Sequence, residues 1–488
     1  MRNTGLTLSF ILVGLCSVTA AARPPTDVLA GDGLAAEPVL SSLSSASVPR
    51  SDRLKLHGSG FGGSQGDSRV LIGDLAAPIT HWSETDITAY VPKDAAAGRN
   101  PVQVMTRGGA SNRVQILVPM PPSPQKRVLW RFRADAPYIM GRPAVSADGT
   151  IYAADVDGHL YALDPDGGLK WVFNAIPGHV VGSVDVGPDG TIYFASLNRV
   201  FAVNPDGTQK WTVADPAGGG IFFGPNVGPD GKIYAVSDDA GGGLGAFGIS
   251  PAGVVAWSSP GFLRFGHTGR NREIRFDDTQ LYFNANNAID VTWGLRGFSL
   301  DGEQRFVVPG SGQPAVAPNG IIWTPGGPLK SFFADGSQFI EISDTGPSSW
   351  PVTGPDSSVY FSHGISAWSA INPDGSYRWT VPSPGRLMQE LGVSPNNRVV
   401  VATEYEIGGF GFVRGMLPSD GSPRWSVQLP AENGGWVRPM SRPRFSLNGA
   451  TVYVGMDVND SVPDPYTYLY AIDARLPLLH SMTATRVE

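Results

Sequence analysis

The sequence predicts an all-β protein, an eight-bladed β-propeller (seven blades is the alternative count) preceded by an immunoglobulin-like β-sandwich. Three observations carry that prediction. The 488 residues include 62 Gly and 42 Pro, spaced as punctuation between short apolar runs and without a Gly-X-Y period, as in a chain with many tight turns. A motif running from Asp-Gly through Ile-Tyr to a second Asp-Gly and then Trp recurs about every 42 residues, the length of one four-stranded blade. A proline-rich run, 119–126, separates these repeats from a shorter β-rich segment, as a semi-rigid spacer would.

The first element is an export signal at residues 1–22. Arg2 supplies the positive start, Leu6 to Val18 the apolar core, and Ala20, Ala21 and Ala22 the small residues of a cleavage site. No other run reaches the roughly 20 apolar residues of a membrane helix. Cys16 is the only cysteine, so the processed chain would hold no disulfide. Leu15 stands where a lipid-attachment motif has a small residue, which disfavours lipidation at Cys16. The chain is therefore expected to be secreted, periplasmic or at a bacterial cell surface. Net charge is −7, with 16% charged residues and no basic stripe, which argues against nucleic acid as a partner.

The second element is the sandwich, residues 37–118. Leu54-Lys55-Leu56-His57 alternates as a half-buried strand does, and the runs beginning at Val70, Ile87, Pro101 and Val114 supply further strands. Two short motifs overlap in its glycine-rich turn. Gly58, Gly60 and Gly63 fit a dinucleotide-binding pattern, and Gly62-Gly63-Ser64-Gln65-Gly66 fits a nucleophile-elbow pattern. Both chemistries need a helix directly after the turn. Here Gly66-Asp67-Ser68 leads into another strand, so the turn reads as structural. The segment resembles the IPT/TIG domain, on Gly58 to Gly62, Val70 to Gly73, Trp82 ahead of Asp86-Ile87, and Val91-Pro92.

The third element is the repeat region, residues 127–475, followed by a tail at 476–488. Eight aromatic anchors end the repeats: Trp130, Trp171, Trp211, Trp257, Phe306, Phe339, Trp379 and Trp425. The repeat containing Val452-Tyr453-Val454 has no aromatic after it, and Trp130 stands ahead of the first full repeat. The strand of Trp130 is therefore expected to close the ring. Each Asp-Gly permits a tight hairpin turn, and each Trp is read as a rigid plug between blades. Ile-Tyr-Ala reads as a half-buried strand.

Leu160-Tyr161-Ala162-Leu163-Asp164 and Trp171 resemble the pyrroloquinoline-quinone-like propeller repeat. That resemblance implies eight blades and two kinds of relative, quinoprotein alcohol dehydrogenases and a non-enzymatic scaffold lipoprotein of outer-membrane assembly. The dehydrogenase branch implies adjacent cysteines and a Ca²⁺ held by carboxylates. This chain has no cysteine after Cys16, and its one acidic cluster, Asp457, Asn459, Asp460 and Asp464, lacks calcium-loop spacing and reads as a solvated loop. The seven histidines are scattered without metal-ligand spacing.

No catalytic or metal-binding residue and no cofactor is expected. The chain reads as a binding or scaffold protein whose partner is an envelope or extracellular protein or a glycan. A quinone-dependent oxidoreductase or polysaccharide-active enzyme is the alternative, and a surface adhesion module a third reading. Connections from an outer strand to the next inner strand carry Tyr138, His179, Phe222, Phe223, His267, Arg270, Trp350, Arg386, Trp436 and Arg438. Aromatics and arginines of this kind are favoured at binding surfaces, so these residues form the expected rim of the binding face.

Overall fold

Short apolar runs broken by Asp-Gly turns can bury their side chains only by pairing into small sheets that pack on one another. The computed structural model describes residues 37–119, 127–136, 141–175, 183–216, 218–239, 244–259, 273–286, 293–325, 327–343, 350–363, 367–383, 387–405, 410–429, 436–439, 441–459 and 466–475. The expected export signal, most of the proline-rich run and the C-terminal tail lie outside them.

The N-terminal sandwich has two antiparallel sheets. One is ordered Val39–Leu43, Arg53–Ser59, Asp86–Tyr90, Ile79–Trp82. The other is ordered Leu75–Ala77, Arg69–Ile72, Gly98–Thr106, Gly109–Ala110, with Val114–Val118 also paired to Gly98–Thr106. Their facing side chains, among them Leu54, Leu56, Val70, Ile72, Val102 and Ile116, form one core, which Phe61 joins from the turn after Arg53–Ser59.

The rest of the described chain folds into eight antiparallel sheets of four principal strands. In order they span 144–174, 185–214, 218–258, 275–309, 315–342, 352–382, 387–429 and 436–473, and Val128–Arg133 completes the eighth by pairing with Tyr466–Asp473. An apolar core lies between each consecutive pair of sheets, and another lies between the eighth and the first. The sheets therefore form a closed propeller, with the ring sealed by the strand that carries Trp130.

The middle strands depart from the half-buried reading. Ile151–Ala154 and Ile192–Ser196 are buried at every residue. Ile151 and Ala153 face the eighth sheet, while Tyr152 and Ala154 face the second. A sheet with a neighbour on each side has no solvent face, so its strands need apolar residues at both phases of the alternation.

The aromatic anchors join sheet to sheet. Trp130, Trp171, Trp211 and Trp379 donate their indole N–H to the carbonyls of Pro165, Pro205, Pro251 and Pro418, and Trp257 donates to Leu300, each in the turn of the next sheet. The glycine of that turn lies flat under the ring. At Gly167 a Cβ would fall 2.6 Å from Trp130, and at Gly207 2.9 Å from Trp171. Both glycines also have positive φ, so the position needs glycine for two reasons.

The fifth sheet corrects one expected anchor. Ser331 pairs with Ile340, as Ala162 pairs with Trp171 and Ala370 with Trp379. Ile340 is also the side chain against Gly375 of the sixth sheet. Phe339 is 37% exposed and packs on Phe333 instead. A step of one residue along a strand turns the side chain to the other face. Trp425 differs too, because the eighth sheet takes its outer strand from the start of the repeat region and has no Asp-Gly turn there. The Arg127 guanidinium sits 5.1 Å over the Trp425 ring and donates to the carbonyls of Asp473 and Arg475.

The sandwich is docked on the start of the propeller. Tyr90 is buried and belongs to the core between the eighth and first sheets. Its hydroxyl donates to the carbonyl of Arg133 at 2.8 Å, and Arg53 donates to the Asp135 carbonyl at 2.9 Å. Arg53 also pairs with the Asp135 carboxylate at 3.4 Å, with both side chains largely buried. Lys93 reaches Asp164 of the first sheet at 3.1 Å.

Candidate functional site

Eight inner strands converge on the propeller axis, and their order in the chain sets which side chains meet there. Each inner strand ends at a residue whose backbone N–H bonds back across the following turn: Ser146, Gly187, Gly228, Asp277, Ala317, Gly354, Ser394 and Ser446. Side chains two and four residues earlier share a strand face. Four residues back stand Arg142, Ser183, Gly224, Glu273, Gln313, Trp350, Glu390 and Arg442. Two residues back stand Ala144, Asp185, Asn226, Arg275, Ala315, Val352, Gly392 and Arg444. The axis is thus lined by two tiers, and charged and polar residues are concentrated in them.

The upper tier is closed by side chains that reach across the axis. Glu273, 1% exposed, accepts from Ser183 Oγ at 2.7 Å and pairs with Arg142 at 3.1 Å and Arg275 at 2.6 Å. Arg142 belongs to the first sheet and Glu273 to the fourth, so this pair spans the channel. Arg442 pairs with Glu390 at 3.2 Å and lays its guanidinium 5.3 Å from the centre of the Trp350 ring. In the lower tier both Asp185 oxygens accept backbone N–H groups, from Val186 and Val227.

Burial and pairing pull these groups in opposite directions. Burial alone would raise the Glu273 carboxyl, but Arg142, Arg275 and Arg442 outweigh it and hold the group well below the usual carboxylate range. Burial raises Glu390 against the opposing charge of Arg442. Burial lowers Arg275 to about 10 despite its bond to Glu273. Arg444 is also lowered to about 10, first by the charge of Arg142 and then by burial.

Below the upper tier the channel opens. A cavity of about 250 Å³ is bounded by Arg142, Arg275, Arg442 and Arg444, with Val316, Val352, Leu391 and Phe445 as apolar wall. It shares Val316, Thr353, Val393 and Pro395 with a wider hollow of about 520 Å³ that reaches Pro318, Pro355 and the turn residue Asp278. That opening is on the face formed by the tight turns after the inner strands. The expected rim precedes the inner strands and so belongs to the opposite face.

Of the expected rim, Trp350 and Arg438 are described with their side chains. Trp350 is partly buried in the channel wall beside Gly312 and Arg442. Arg438 is exposed and lies 5.6 Å over the Tyr405 ring. The backbones of Phe222 and Phe223 are on the long inner strand Gly218–Val227, and that of Trp436 is on Trp436–Pro439. Tyr138, His179, His267, Arg270 and Arg386 lie outside the described residues. The sequence reading missed the two tiers. Their signal is positional, two and four residues before each residue that opens a tight turn, and neither tier has a residue type of its own.

The glycine-rich turn of the sandwich is structural. Trp82 donates its indole N–H to the carbonyls of Phe61 and Gly62, and a Cβ at Gly58 would fall 2.0 Å from the Val39 carbonyl oxygen. The chain then enters the strand Arg69–Ile72. Asp457 corrects the solvated-loop reading of its cluster, because it is a buried residue of the strand Thr451–Asn459 facing Thr467. Asp460 and Asp464 lie outside the described residues.

The quinone with Ca²⁺ that the dehydrogenase branch implies does not fit the channel. Calcium needs carboxylate and carbonyl oxygens turned toward one point. Both Glu273 oxygens instead face guanidinium groups, from Arg142 and Arg275, and a divalent cation placed there would meet positive charge.

Comparison with known proteins agrees with this architecture. The IPT/TIG domain model matches residues 38–117, and the model described as outer membrane protein assembly factor BamB matches residues 123–277. No curated protein matches the sequence. Among solved structures, the quinohemoprotein alcohol dehydrogenase of Comamonas testosteroni is 13% identical, with a TM-score of 0.51 over 72% of this chain and 77% of that one. The computationally designed Ika8 protein is 13% identical, with a TM-score of 0.52 over 70% of this chain and 99% of that one. BamB from Moraxella catarrhalis is 14% identical, with a TM-score of 0.48 over 70% of this chain and 96% of that one. At these identities the first two show a shared fold and nothing about activity.

Proposed function

We propose that this chain, an IPT/TIG domain joined to a pyrroloquinoline-quinone-like β-propeller, is an exported, non-enzymatic binding or scaffold protein of the cell envelope or extracellular space. Its partner, a protein or a glycan, meets the propeller on the face of the long connections. The observation that carries this reading is the uneven height of that face. The two middle strands of each sheet are joined there, and their lengths differ widely. They have three and four residues in the fifth sheet, Ile322–Thr324 and Leu329–Phe332. They have nine and eight in the eighth, Thr451–Asn459 and Tyr466–Asp473. The seventh, beside it, has six and six, Val400–Tyr405 and Gly411–Met416. The third and fourth sheets are long as well, with Ile233–Asp239, Leu244–Ile249, Gln280–Asn286 and Trp293–Ser299, so the face rises at two places on the ring, and its longest strands form the wall of the eighth sheet.

Arg438, exposed on Trp436–Pro439, sits at that wall. The match of residues 123–277 to an outer-membrane assembly factor supports a protein partner, and the apolar N-terminal segment with Ala20, Ala21 and Ala22 supports export.

The test is capture from a native envelope extract by wild-type protein and by a Phe223→Ala, Trp436→Ala, Arg438→Ala triple variant with an unchanged circular-dichroism spectrum. The expected result is one partner retained by wild type and lost by the variant. Equal retention would place the partner elsewhere.

A further inference from the structure

We propose that the turn-side end of the channel is a binding site for a small doubly charged oxyanion, a phosphate monoester or a dicarboxylate, held by Arg444, Arg442 and Arg142. This site is separate from the loop-face surface and does not depend on it.

The argument begins with charge. Four arginines, Arg142, Arg275, Arg442 and Arg444, line the cavity. The carboxylates near them are Glu273, Glu390 and Asp185. Glu273 is taken up by Arg142, Arg275 and Ser183, and Asp185 by two backbone N–H groups. Glu390 answers Arg442 through one nitrogen. Positive charge therefore exceeds negative by at least one, inside a low-dielectric wall where the excess matters most.

Hydrogen bonding gives the second and independent line. Arg442 is 2% exposed, yet its Nη2 has no hydrogen-bond partner among the described residues, and neither does the buried Nε of Arg444. The Arg142 Nε is 3.1 Å from Glu273 but is not aligned for a hydrogen bond. A buried guanidinium N–H without an acceptor has given up its water and gained nothing in return. Two such groups at one cavity, on Arg442 and Arg444, are what an oxyanion would satisfy, since guanidinium N–H groups match its geometry. Mutual repulsion, which already lowers Arg444, would also be relieved.

Size selects the ligand. About 250 Å³ accommodates a small anion and not a polymer. Asp277 and Asp278 line the wider hollow outside it, a negative approach that disfavours an extended polyanion.

The test is titration calorimetry of the full chain with inorganic phosphate and, separately, malonate, at constant ionic strength. Saturable binding is expected for one of them below about 1 mM, weakened about tenfold or more by Arg444→Gln. Tighter phosphate binding assigns a phosphoryl ligand, and tighter malonate binding a dicarboxylate. Arg444→Lys keeps the charge and removes the planar fork, and it is the variant read if Arg444→Gln does not fold. It is expected to bind several-fold more weakly than wild type. No saturable binding of either anion by wild type, or wild-type affinity in the folded variant read, would overturn the proposal.

Discussion

Tyr90, at the end of the sandwich strand Asp86–Tyr90, stacks on Phe132 of the ring-closing propeller strand, with ring centroids 5.1 Å apart and planes inclined by 14°. Phe132 also meets Tyr161 of the first sheet at 5.2 Å. One sandwich residue thus takes part in the core that closes the propeller, and this couples the folding of the two parts.

Removing that ring should uncouple them. Tyr90→Ala is expected to cost about 3–4 kcal/mol and to split a single calorimetric unfolding transition into two. Tyr90→Phe keeps the stack and loses only the hydroxyl bonds to Arg133 and Asp135. It should cost about 1 kcal/mol and leave one transition.

The glycines beneath the anchors should resist substitution more than their exposure suggests. At Gly207 an alanine Cβ would fall 2.9 Å from Trp171, at a φ of 89°. Gly207→Ala is expected to destabilise by about 2–4 kcal/mol, read as a lowered denaturant midpoint. Gly63, with nothing within 4 Å of its Cβ position and no positive φ, is the control expected to stay near neutral.

The channel plug should fail when the carboxylate that Arg142 and Arg275 share is neutralised. Glu273→Gln leaves Arg142 and Arg275 facing an uncharged amide and is expected to cost about 3–5 kcal/mol. Because the folded-state pKa of Glu273 is depressed, its contribution is present above its ordinary value of 4.5 and is lost as pH falls. Wild type should therefore lose its advantage over Glu273→Gln in acid, measured by melting temperature across pH.

A histidine near the docking surface should give the opposite slope. His159 Nδ1 lies 2.8 Å from a buried Asp155 oxygen that also accepts the Tyr161 hydroxyl. Burial alone would lower its pKa, but the hydrogen bond and charge of Asp155 outweigh that and raise it above 6.5. The stability it contributes is full below 6.5 and is lost as pH rises through the raised value. The melting-temperature difference between wild type and His159→Gln should shrink as pH rises above 6.5. A constant difference would show that the imidazole has the same pKa in the folded and unfolded chain.

How much of this was readable in the sequence follows from what repeats. Gly167, Gly207 and Trp171 recur in type and spacing because every sheet must meet the next in the same way. Ring closure by the strand of Trp130 was also readable, since one repeat lacked the strand that another segment supplied. Phe339 was misassigned because spacing locates an anchor only to within a residue, while strand register separates its two faces.

The sequence by itself determined the repeating sheets, the turns that separate them, the sandwich ahead of them and the residue that seals the ring. All of these follow from local periodicity and turn chemistry. Only the tertiary structure decided that Arg142 meets Glu273 across the axis, that Arg442 and Arg444 share one cavity, and that Tyr90 enters the propeller core. Those residues are far apart in the chain and carry no common motif. Closing eight sheets in a ring brings single positions of distant repeats together, and the pairing of each with its neighbours depends on the whole circle being formed.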